Sequence, residues 1–375
     1  MTDVIVIGGG IAGCTTAYYL AKDGVDVTLL EQYELNTLAS GSNAGSLHAQ
    51  IQPEPFTAYG DSWTRRYVHA LPFYKESIDL WCAAGSELDM DLEVAQEGGL
   101  LIACSDQDMR QIEAKMKFER AAGLEVELLS ANELRNMAPY VSAHAVGAEY
   151  CPVEGKANPL VAAPAFAEAA MKLGAIVREW SEVSGIRRCG TGFAVTSASG
   201  EFKSDRVVNA AGSQAGRIAA LLAAAVDTKS FPIQLCVTEP LEPLIGHLVY
   251  SASAMLTLKQ TGRGTVVIGG GWPARRDSGG RAVVCERSVR DNLNAAVNVV
   301  PALASVNIVR TWAAFVNGNR SWLPVIGEMP GTDGFFINYV PWMGFSGALA
   351  AARITASQVQ GKMPPVDFDV SCFAP

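Results

Sequence analysis

The sequence predicts an α/β protein in which a doubly wound, Rossmann-like dinucleotide-binding domain is interleaved with an antiparallel β-sheet domain. Three observations predict this fold class. Residues 3–30 have the pattern strand, glycine-rich turn, helix, strand. Strand and glycine-turn signals return near residues 206–212 and 334–347. Residues 224–320, between these two, alternate apolar and polar residues, which is typical of antiparallel sheets.

The opening segment predicts one βαβ unit. Residues 3–7, Asp-Val-Ile-Val-Ile, form an apolar, β-branched run that is typical of a buried parallel strand. A helix is predicted over residues 14–22 and a second buried strand over residues 26–30. Two parallel strands joined by a helix form a right-handed crossover, so this segment predicts the start of a doubly wound sheet.

The turn between the first strand and the helix carries Gly8, Gly10 and Gly13, which have the spacing of a dinucleotide fingerprint. The first glycine makes the turn, the second lets the backbone approach a pyrophosphate, and the third lets helix and strand pack closely. Glu31 ends the second strand, where a carboxylate accepts hydrogen bonds from ribose and disfavours a 2′-phosphate. The motif therefore favours FAD or NAD over NADP and leaves the first two open. The alternative is a glycine turn without a ligand.

Further elements continue the α/β pattern. The sequence predicts a helix over 159–173 and one at the alanine-rich residues 218–226, and it predicts strands over 176–180, 182–187, 193–197, 206–209, 255–259, 265–270 and 334–339, with a last helix from 347 to about 360. We expect the dinucleotide-binding domain to comprise residues 1–94, 151–223 and 321–375. The substrate domain is expected to comprise residues 95–150 and 224–320.

Composition excludes several classes of protein. At ~150 residues per domain, 375 residues are too many for one small module. A net charge of −9 and the lack of a basic run argue against a nucleic-acid partner. The eight cysteines are at least 22 residues apart, so no zinc or iron–sulfur spacing is present and no metal site is predicted. No uninterrupted apolar run is long enough for a membrane span, and we expect a reduced, cytoplasmic protein.

Three segments together resemble the D-amino-acid oxidase (DAO) family of FAD-dependent amine oxidoreductases, which includes glycine and sarcosine oxidases. They are residues 3–45, residues 207–212 (Val-Val-Asn-Ala-Ala-Gly), and residues 312–327 with the glycine turn at 344–347. Within the family the chain looks most like the B or β subunits of opine (octopine or nopaline) oxidases, hydrogen cyanide synthase, and sarcosine or proline dehydrogenases. The resemblance implies a glycine-oxidase-like fold and FAD as the cofactor.

The resemblance also implies which residues bind FAD. They are Gly8, Gly10, Ile11, Ala12, Gly13, Glu31, Gln32, Ser40, Ser42, Asn43, Ala44, Gly45, Ser46, Leu47, Val183, Ala211, Gly212, Gly344, Phe345, Ser346 and Gly347. Some relatives link the flavin covalently through a histidine near position 43 or a cysteine after the tryptophan at 312. Here Asn43 and the non-cysteine residues 315–320 occupy those positions, so non-covalent binding is expected. A second flavin, FMN, at a subunit interface stays open.

The substrate end departs from the glycine-oxidase pattern. Two arginines that would clamp a carboxylate are replaced by Val316 and Phe345. Arg320, a short distance further along, is our leading carboxylate anchor, and Lys259 is the next candidate, ahead of Arg275 and Arg276. His48 follows the predicted flavin-contacting segment and is the third candidate catalytic residue; the alternative is a hydrogen-bonded histidine without a catalytic role. For the cations, the alternative is a solvated or salt-bridged side chain.

The resemblance implies oxidation of a C–N bond by hydride transfer to flavin N5, giving an imine that hydrolyses. The lost arginines favour a larger secondary amino acid or an opine over glycine. By analogy with the B subunits, the chain is expected to be the catalytic subunit of a dehydrogenase with a larger flavoprotein subunit and an iron–sulfur subunit. The alternatives are a stand-alone glycine- or sarcosine-type oxidase that uses oxygen, and a non-catalytic electron-relay subunit.

Overall fold

The computed structural model describes residues 2–375. The strands are β1 (Thr2–Ile7), β2 (Val27–Leu30), β3 (Ser46–Leu47), β4 (Gly99–Ala103), β5 (Glu127–Ser130), β6 (Gly147–Cys151), β7 (Gly155–Lys156), β8 (Ile176–Arg178), β9 (Val183–Cys189), β10 (Gly192–Ser197), β11 (Gly200–Asn209), β12 (Lys229–Pro240), β13 (Leu248–Ser251), β14 (Thr257–Gln260), β15 (Thr265–Gly269), β16 (Arg275–Arg276), β17 (Ala282–Val283), β18 (Ile308–Gly318), β19 (Val325–Glu328) and β20 (Phe335–Tyr339). The helices are α1 (Ile11–Lys22), α2 (Ala39–Ser42), α3 (Pro53–Tyr67), α4 (Leu71–Leu88), α5 (Asp106–Ala121), α6 (Ala131–Met137), α7 (Pro159–Lys172), α8 (Ala215–Ala220), α9 (Glu286–Val299) and α10 (Ala348–Val359). Short 3-10 helices cover Val68–Ala70, Gly212–Gln214, Pro301–Ser305 and Ser371–Phe373.

The first large sheet has a parallel centre. Strands β20, β11, β1, β2 and β8 lie side by side in that order and run parallel. Alternate residues of β1 serve opposite faces of this sheet. Val4 and Val6 pack in the cluster that holds residues of α1, α7 and α10, whereas Ile5 and Ile7 pack with residues of α8. Helices cover the first face, and α8 together with residues of β9 and β10 covers the second. The predicted doubly wound fold class is confirmed.

The second large sheet has the strand order β18-β12-β15-β14-β13-β4-β6-β5. Its neighbouring strands are antiparallel, as predicted, with the exception of β13 and β4. These two strands come from different insertions into the first sheet, so no hairpin turn fixes their relative direction. The sheet takes its strands from residues 99–151 and 229–318; the exact domain boundaries stay a prediction.

The helix predicted over residues 218–226 is shorter than expected and begins earlier. Helix α8 ends at Ala220, and Ala223 has a left-handed backbone with φ 56°. A helix cannot continue through such a residue, so the remaining alanines lie in a turn and a loop. Helices α3 and α4 were not predicted. Helix α4 packs against α10, on the face of the first sheet that also holds α1 and α7.

Candidate active site

A large cavity of about 1030 Å³ lies where the two sheets meet. Its lining includes the carboxyl ends of β1, β2 and β20 and the residues directly after β11 from the first sheet, and parts of β12, β14 and β18 from the second. Ligand sites in open α/β sheets lie outside the carboxyl ends of the strands, and typical cavities measure ~300–1000 Å³. The cavity is therefore in the expected place and large enough for a dinucleotide together with a small substrate.

The glycine turn forms one end of the cavity. Gly8 has φ 114°, and a Cβ there would lie 2.6 Å from the carbonyl oxygen of Ala210, which directly follows the neighbouring strand β11. At Gly10, a Cβ would lie 2.8 Å from Ser40 Oγ, in the space just above the amino end of α1. The turn is thus a cradle that side chains would fill. Free amide groups and the positive end of the α1 dipole suit this cradle to a pyrophosphate.

Glu31 holds the same turn closed. Its Oε2 accepts a hydrogen bond from the Gly9 amide at 2.6 Å, and its Oε1 accepts one from the Tyr33 amide at 2.9 Å. Each carboxylate oxygen has two lone pairs, so both retain a position for a ribose hydroxyl. Glu31 lines the cavity, and the carboxylate predicted to bind ribose also braces the pyrophosphate turn.

The segment from α2 to β3 follows the cavity wall. Ser40 Oγ accepts a hydrogen bond from the Ile11 amide at 2.9 Å. The Asn43 side chain donates to main-chain carbonyls of α2 and accepts from the Gly45 amide at 2.6 Å, which fixes the turn after the helix. Trp312 of the second sheet donates from Nε1 to the Ser42 carbonyl at 2.8 Å. These bonds place the segment from α2 to β3 between the two sheets.

The C-terminal glycine turn closes the cavity from the other side. Ser346 Oγ accepts a hydrogen bond from the His48 amide at 2.8 Å and donates to the Ser46 carbonyl at 3.1 Å. A Cβ on Gly347 would lie 2.7 Å from the ring of Phe73, so this position requires glycine for close packing. Helix α10 begins at the next residue, and the turn therefore sets its amino end beside the α2–β3 segment.

Two candidate catalytic residues lie next to this junction. His48 lines the cavity, and its Nδ1 forms a short hydrogen bond with the hydroxyl of Tyr250. Lys259 is 2% exposed and does not line the cavity; its Nζ donates to Ser46 Oγ at 2.6 Å. Burial lowers the pKa of Lys259 to about 7, and burial together with the charge of Lys259 lowers the pKa of His48 to about 3. His48 is therefore neutral at physiological pH.

An aromatic wall that the sequence analysis did not predict lines the cavity. The rings of Phe231, Trp342 and Trp322 stack in series, with centroids 4.8 Å apart at each step. Trp322 and Trp342 have φ 64° and 59°, a left-handed conformation that costs a bulky residue ~1–3 kcal/mol. A Cβ on Gly318 would lie 2.4 Å from the Trp342 ring, so glycine is required there for the stack to form.

Comparison with known proteins identifies the family. The sequence model of DAO, the FAD dependent oxidoreductases, matches residues 3–358. This chain belongs to the DAO family. It is 27% identical to the beta subunit of sarcosine oxidase from Arthrobacter sp., over 88% of this chain and 79% of that protein. It is 25% identical to the B subunit of opine oxidase from Rhizobium meliloti, over 99% of this chain and 96% of that protein.

A solved structure confirms the fold of this DAO-family member. The crystal structure of glycine oxidase from Geobacillus kaustophilus superposes with a TM-score of 0.85 at 24% identity, covering 100% of this chain and 98% of that one. The predicted family, fold class and FAD-dependent oxidoreductase activity are thus confirmed. The pyrophosphate cradle at Gly8 and Gly10 and the carboxylate of Glu31 fit FAD as the family requires.

Most of the residues predicted to bind FAD line the cavity. They are Gly8, Gly10, Ile11, Ala12, Glu31, Gln32, Ser40, Ser42, Asn43, Ala44, Ser46, Val183, Ala211, Gly212, Gly344, Phe345 and Ser346. Gly13, Gly45, Leu47 and Gly347 lie behind the wall, where they fix the backbone of the residues that line it. The structure thus brings the three family segments together around one cavity.

Arg320 is not brought to the cavity. Its side chain is exposed and does not line the cavity, whereas Trp322, two residues further along, does. Its predicted role as the carboxylate anchor is therefore not supported by its position, because the chain turns at this point and directs Trp322 inward instead. Arg275 and Arg276 are also exposed and do not line the cavity. Over residues 2–375, Arg217 is the one lysine or arginine in the lining, and it donates to the Val183 carbonyl among the residues predicted to bind FAD.

The described chain offers neither a metal centre nor a membrane span. Within residues 2–375 no group of three or more histidine, cysteine, aspartate or glutamate side chains could hold a metal ion. No helix in that range has the length and apolar character to cross a membrane.

Proposed function

We propose that this DAO-family enzyme oxidises the C–N bond of a secondary amino acid or opine as the catalytic subunit of a multi-subunit dehydrogenase. The observation that carries the proposal is the aromatic wall of Phe231, Trp342 and Trp322. The same cavity is lined by Val316 and Phe345, at the two positions where the glycine-oxidase pattern has arginines. Bound FAD supplies the acceptor for the hydride that leaves the substrate carbon. The residues of the chain bind the amine, orient it and exclude water.

The size and chemistry of the wall favour a large amine. Glycine would leave most of the three stacked rings uncovered, whereas a second substituent on the amine nitrogen can pack against them. A substrate carboxylate would be held by neutral hydroxyl and amide donors, since Arg217 lies among the residues predicted to bind FAD. This arrangement supports a secondary amine whose larger substituent supplies much of the binding free energy.

Two further observations support the assembly and the compartment in this proposal. Two relatives are named as the beta subunit of sarcosine oxidase and the B subunit of opine oxidase, and these are names of components of larger enzymes. A larger flavoprotein and an iron–sulfur subunit are the proposed partners. The eight cysteines are free thiols, which supports a reducing, cytoplasmic location.

The test is an anaerobic substrate screen of the FAD-loaded chain. Flavin absorbance is followed with glycine, sarcosine, N-benzyl amino acids and N-carboxyalkyl amino acids, and turnover is measured with a dye acceptor and with oxygen. We expect bleaching by the larger secondary amines and turnover with the dye. Bleaching by glycine or sarcosine alone, with hydrogen peroxide formed in air, would show a stand-alone oxidase. No bleaching by any amine would show a relay subunit.

A matched pair of variants tests the wall itself. Trp322→Leu removes the terminal ring and is expected to lower kcat/KM for the N-benzyl substrate at least tenfold more than for sarcosine. Trp180→Leu is the control, because Trp180 also has a left-handed backbone, φ 55°, but is exposed and lies outside the cavity lining. Equal losses for both substrates in Trp322→Leu would contradict a role in selectivity.

A further inference from the structure

A continuous chain of buried hydrogen bonds leads from the cavity into the interior. It begins at His48 and passes through Tyr250, Glu154 and Gln50 to Lys115. Glu154 is fully buried, and Tyr250, Gln50 and Lys115 are at most 3% exposed. Burying polar and ionisable groups is costly unless each is paired, and here each of the five side chains has a hydrogen-bond partner.

The inner end of the chain has a fixed orientation. Lys115 donates to Glu119 at 2.6 Å and to Glu149 at 2.9 Å, and it also donates to Gln50 Oε1 at 3.4 Å. Since an ammonium group only donates, it fixes the Gln50 amide with its oxygen toward Lys115. The Gln50 Nε2 then faces Glu154 and donates to its Oε2 at 2.9 Å.

Glu154 is surrounded by donors. Its Oε1 accepts from the Ala49 amide at 2.7 Å and the Gln50 amide at 2.9 Å, and its Oε2 accepts from Gln50 Nε2 and from the Tyr250 hydroxyl. A proton on this carboxyl group would have no acceptor in the resting arrangement. The donors therefore favour the carboxylate, although burial raises its pKa above the ordinary value.

The orientation passes through Tyr250 to His48. The Tyr250 hydroxyl has one hydrogen, which it donates to Glu154 at 2.9 Å. Toward His48 it can then only accept, so the ring proton of the neutral histidine lies on Nδ1. The remaining nitrogen, Nε2, is left with a free lone pair on a residue that lines the cavity.

We propose that His48, Tyr250 and Glu154 form a proton relay that removes the ammonium proton of the substrate before its C–N bond is oxidised. This inference rests on the proposed amine oxidation. An ammonium nitrogen has no lone pair to support loss of a hydride from the adjacent carbon, so deprotonation must come first. His48 Nε2 is the group that contacts the amine; Tyr250 and Glu154 act through it.

The proton transfer balances along the chain. The substrate ammonium gives a proton to His48 Nε2, the Nδ1 proton passes to the Tyr250 oxygen, and the Tyr250 proton passes to Glu154. The result is a neutral amine, a neutral histidine with its proton on Nε2, and a neutral carboxyl group that donates to Tyr250. The reverse transfer into the cavity after product release restores the starting state.

The charges around the relay suit this direction. Burial and the charge of Lys259 keep the pKa of His48 near 3, so the imidazole passes a proton on and does not retain it. Burial raises the pKa of Tyr250, so its hydroxyl stays protonated and only passes a proton on. Burial also raises the pKa of Glu154, which makes its carboxylate a stronger final acceptor. Behind it, burial also raises the pKa of Glu149, which accepts a hydrogen bond from Lys115.

Tyr250→Phe tests the relay with little change in shape. With a secondary amino acid as substrate, we expect the wild-type kcat/KM to be level between pH 7 and 9. In Tyr250→Phe it should fall ~100-fold at pH 7 and recover about tenfold per pH unit toward the pKa of the free amine. Glu154→Gln should show the same slope. Tyr140→Phe is the matched control, since Tyr140 bonds to His247 at 2.8 Å outside the cavity lining. If kcat/KM of Tyr250→Phe depended on pH in the same way as that of the wild type, the proposal would be overturned.

A second readout does not depend on turnover. In protein labelled with nitrogen-15 histidine, the His48 signals are assigned by their loss in His48→Gln; the chain has four histidines. We expect a proton on Nδ1 and none on Nε2 at pH 7, and no protonation of the ring down to pH 5. A proton on Nε2 in the resting protein would overturn the relay. Failure of every amine in the substrate screen would instead overturn the proposed function, whatever the tautomer of His48.

Discussion

Gly13 packs against Gly8 so closely that a Cβ on Gly13 would lie 1.8 Å from the Gly8 carbonyl oxygen. This contact is with backbone and cannot be relieved by a side-chain rotation. The equivalent contact at Gly10 is with the hydroxyl of Ser40, which can move. The two glycines of one motif thus differ in their surroundings. Gly13 allows the helix to meet the strand, and Gly10 leaves space above the amino end of α1, where we expect the phosphates to bind.

Gly13→Ala is therefore expected to disturb the fold, whereas Gly10→Val is expected to leave the fold intact and abolish FAD binding. Thermal unfolding and flavin content measure the two effects separately. Gly246→Ala is the control, because a Cβ there has nothing within 4 Å. A folded Gly10→Val protein with full flavin content would show that the turn does not hold the pyrophosphate.

Glu31→Gln should weaken FAD binding. In glutamine an NH2 donor replaces one of the two oxygens, so a donor would face either the Gly9 amide or the Tyr33 amide and one of the two bonds would be lost. Loss of one charge-assisted hydrogen bond costs ~1.5–3 kcal/mol, which corresponds to a ~10- to 100-fold higher Kd for FAD. The Kd is measured by flavin fluorescence, with the exposed Glu34→Gln as the control. An unchanged Kd would remove Glu31 from the binding site.

FAD is expected to be bound non-covalently. The positions at which relatives form a covalent link hold Asn43 and the non-cysteine residues 315–320. Precipitating the purified protein with acid should release all of the yellow colour into the supernatant. Flavin that stays with the pellet after washing would contradict this prediction, and chromatography of the supernatant would show whether FMN accompanies FAD.

The position of Arg320 gives an expectation opposite to that from the sequence. As a carboxylate anchor, Arg320→Ala would lower kcat/KM ~10- to 100-fold. Because the side chain is exposed and outside the cavity lining, we expect kcat/KM to change by less than about twofold, with unchanged FAD content. A large loss would mean that residues 319–322 rearrange when substrate binds.

Lys259→Met should stabilise the protein, and the gain should depend on pH. The pKa of Lys259 is about 7 in the folded protein and near 10.5 when the chain is unfolded. The unfolded chain therefore binds the proton more tightly, and the cost of burying this lysine is greatest below pH 7 and fades between pH 7 and 10.5. The difference in unfolding free energy from wild type should follow this curve. The exposed Lys203→Met should give a difference that does not vary with pH, and a flat curve for Lys259→Met would show that the buried group is not the titrating one.

Local sequence patterns predicted the first sheet well. The strand expected over residues 3–7 is Thr2–Ile7, and the helix expected over 159–173 is Pro159–Lys172, because short apolar runs and a proline at the helix start are local signals. Helix α3 was missed because it begins Pro-Glu-Pro and is broken at Gly60, φ 66°. Its contacts with α5 and with Trp322, such as Phe56 on Phe118, are tertiary and leave no periodic signal.

In the candidate site, too, residues with a local signal could be predicted and residues placed by tertiary contacts could not. Residues near the dinucleotide motif could be predicted because the turn chemistry is local. The partners of His48 could not, since Tyr250 lies 202 residues away and Glu154 lies in the loop between β6 and β7. The inward direction of Trp322 and Trp342 depends on left-handed backbone that a tryptophan does not favour, so no propensity predicts it.

Strand β1 lies between β2 and β11, and this arrangement sets a waiting time during synthesis. Its partner on one side, β2, follows within 30 residues, but β11 is complete only at Asn209. At ~5–20 residues per second, a ribosome needs roughly 10–40 s to add the intervening residues. Throughout that interval one hydrogen-bonding edge of an apolar strand has no native partner. The nascent chain is then most exposed to pairing with the wrong strand, and a chaperone that covers residues 2–7 would be of most use.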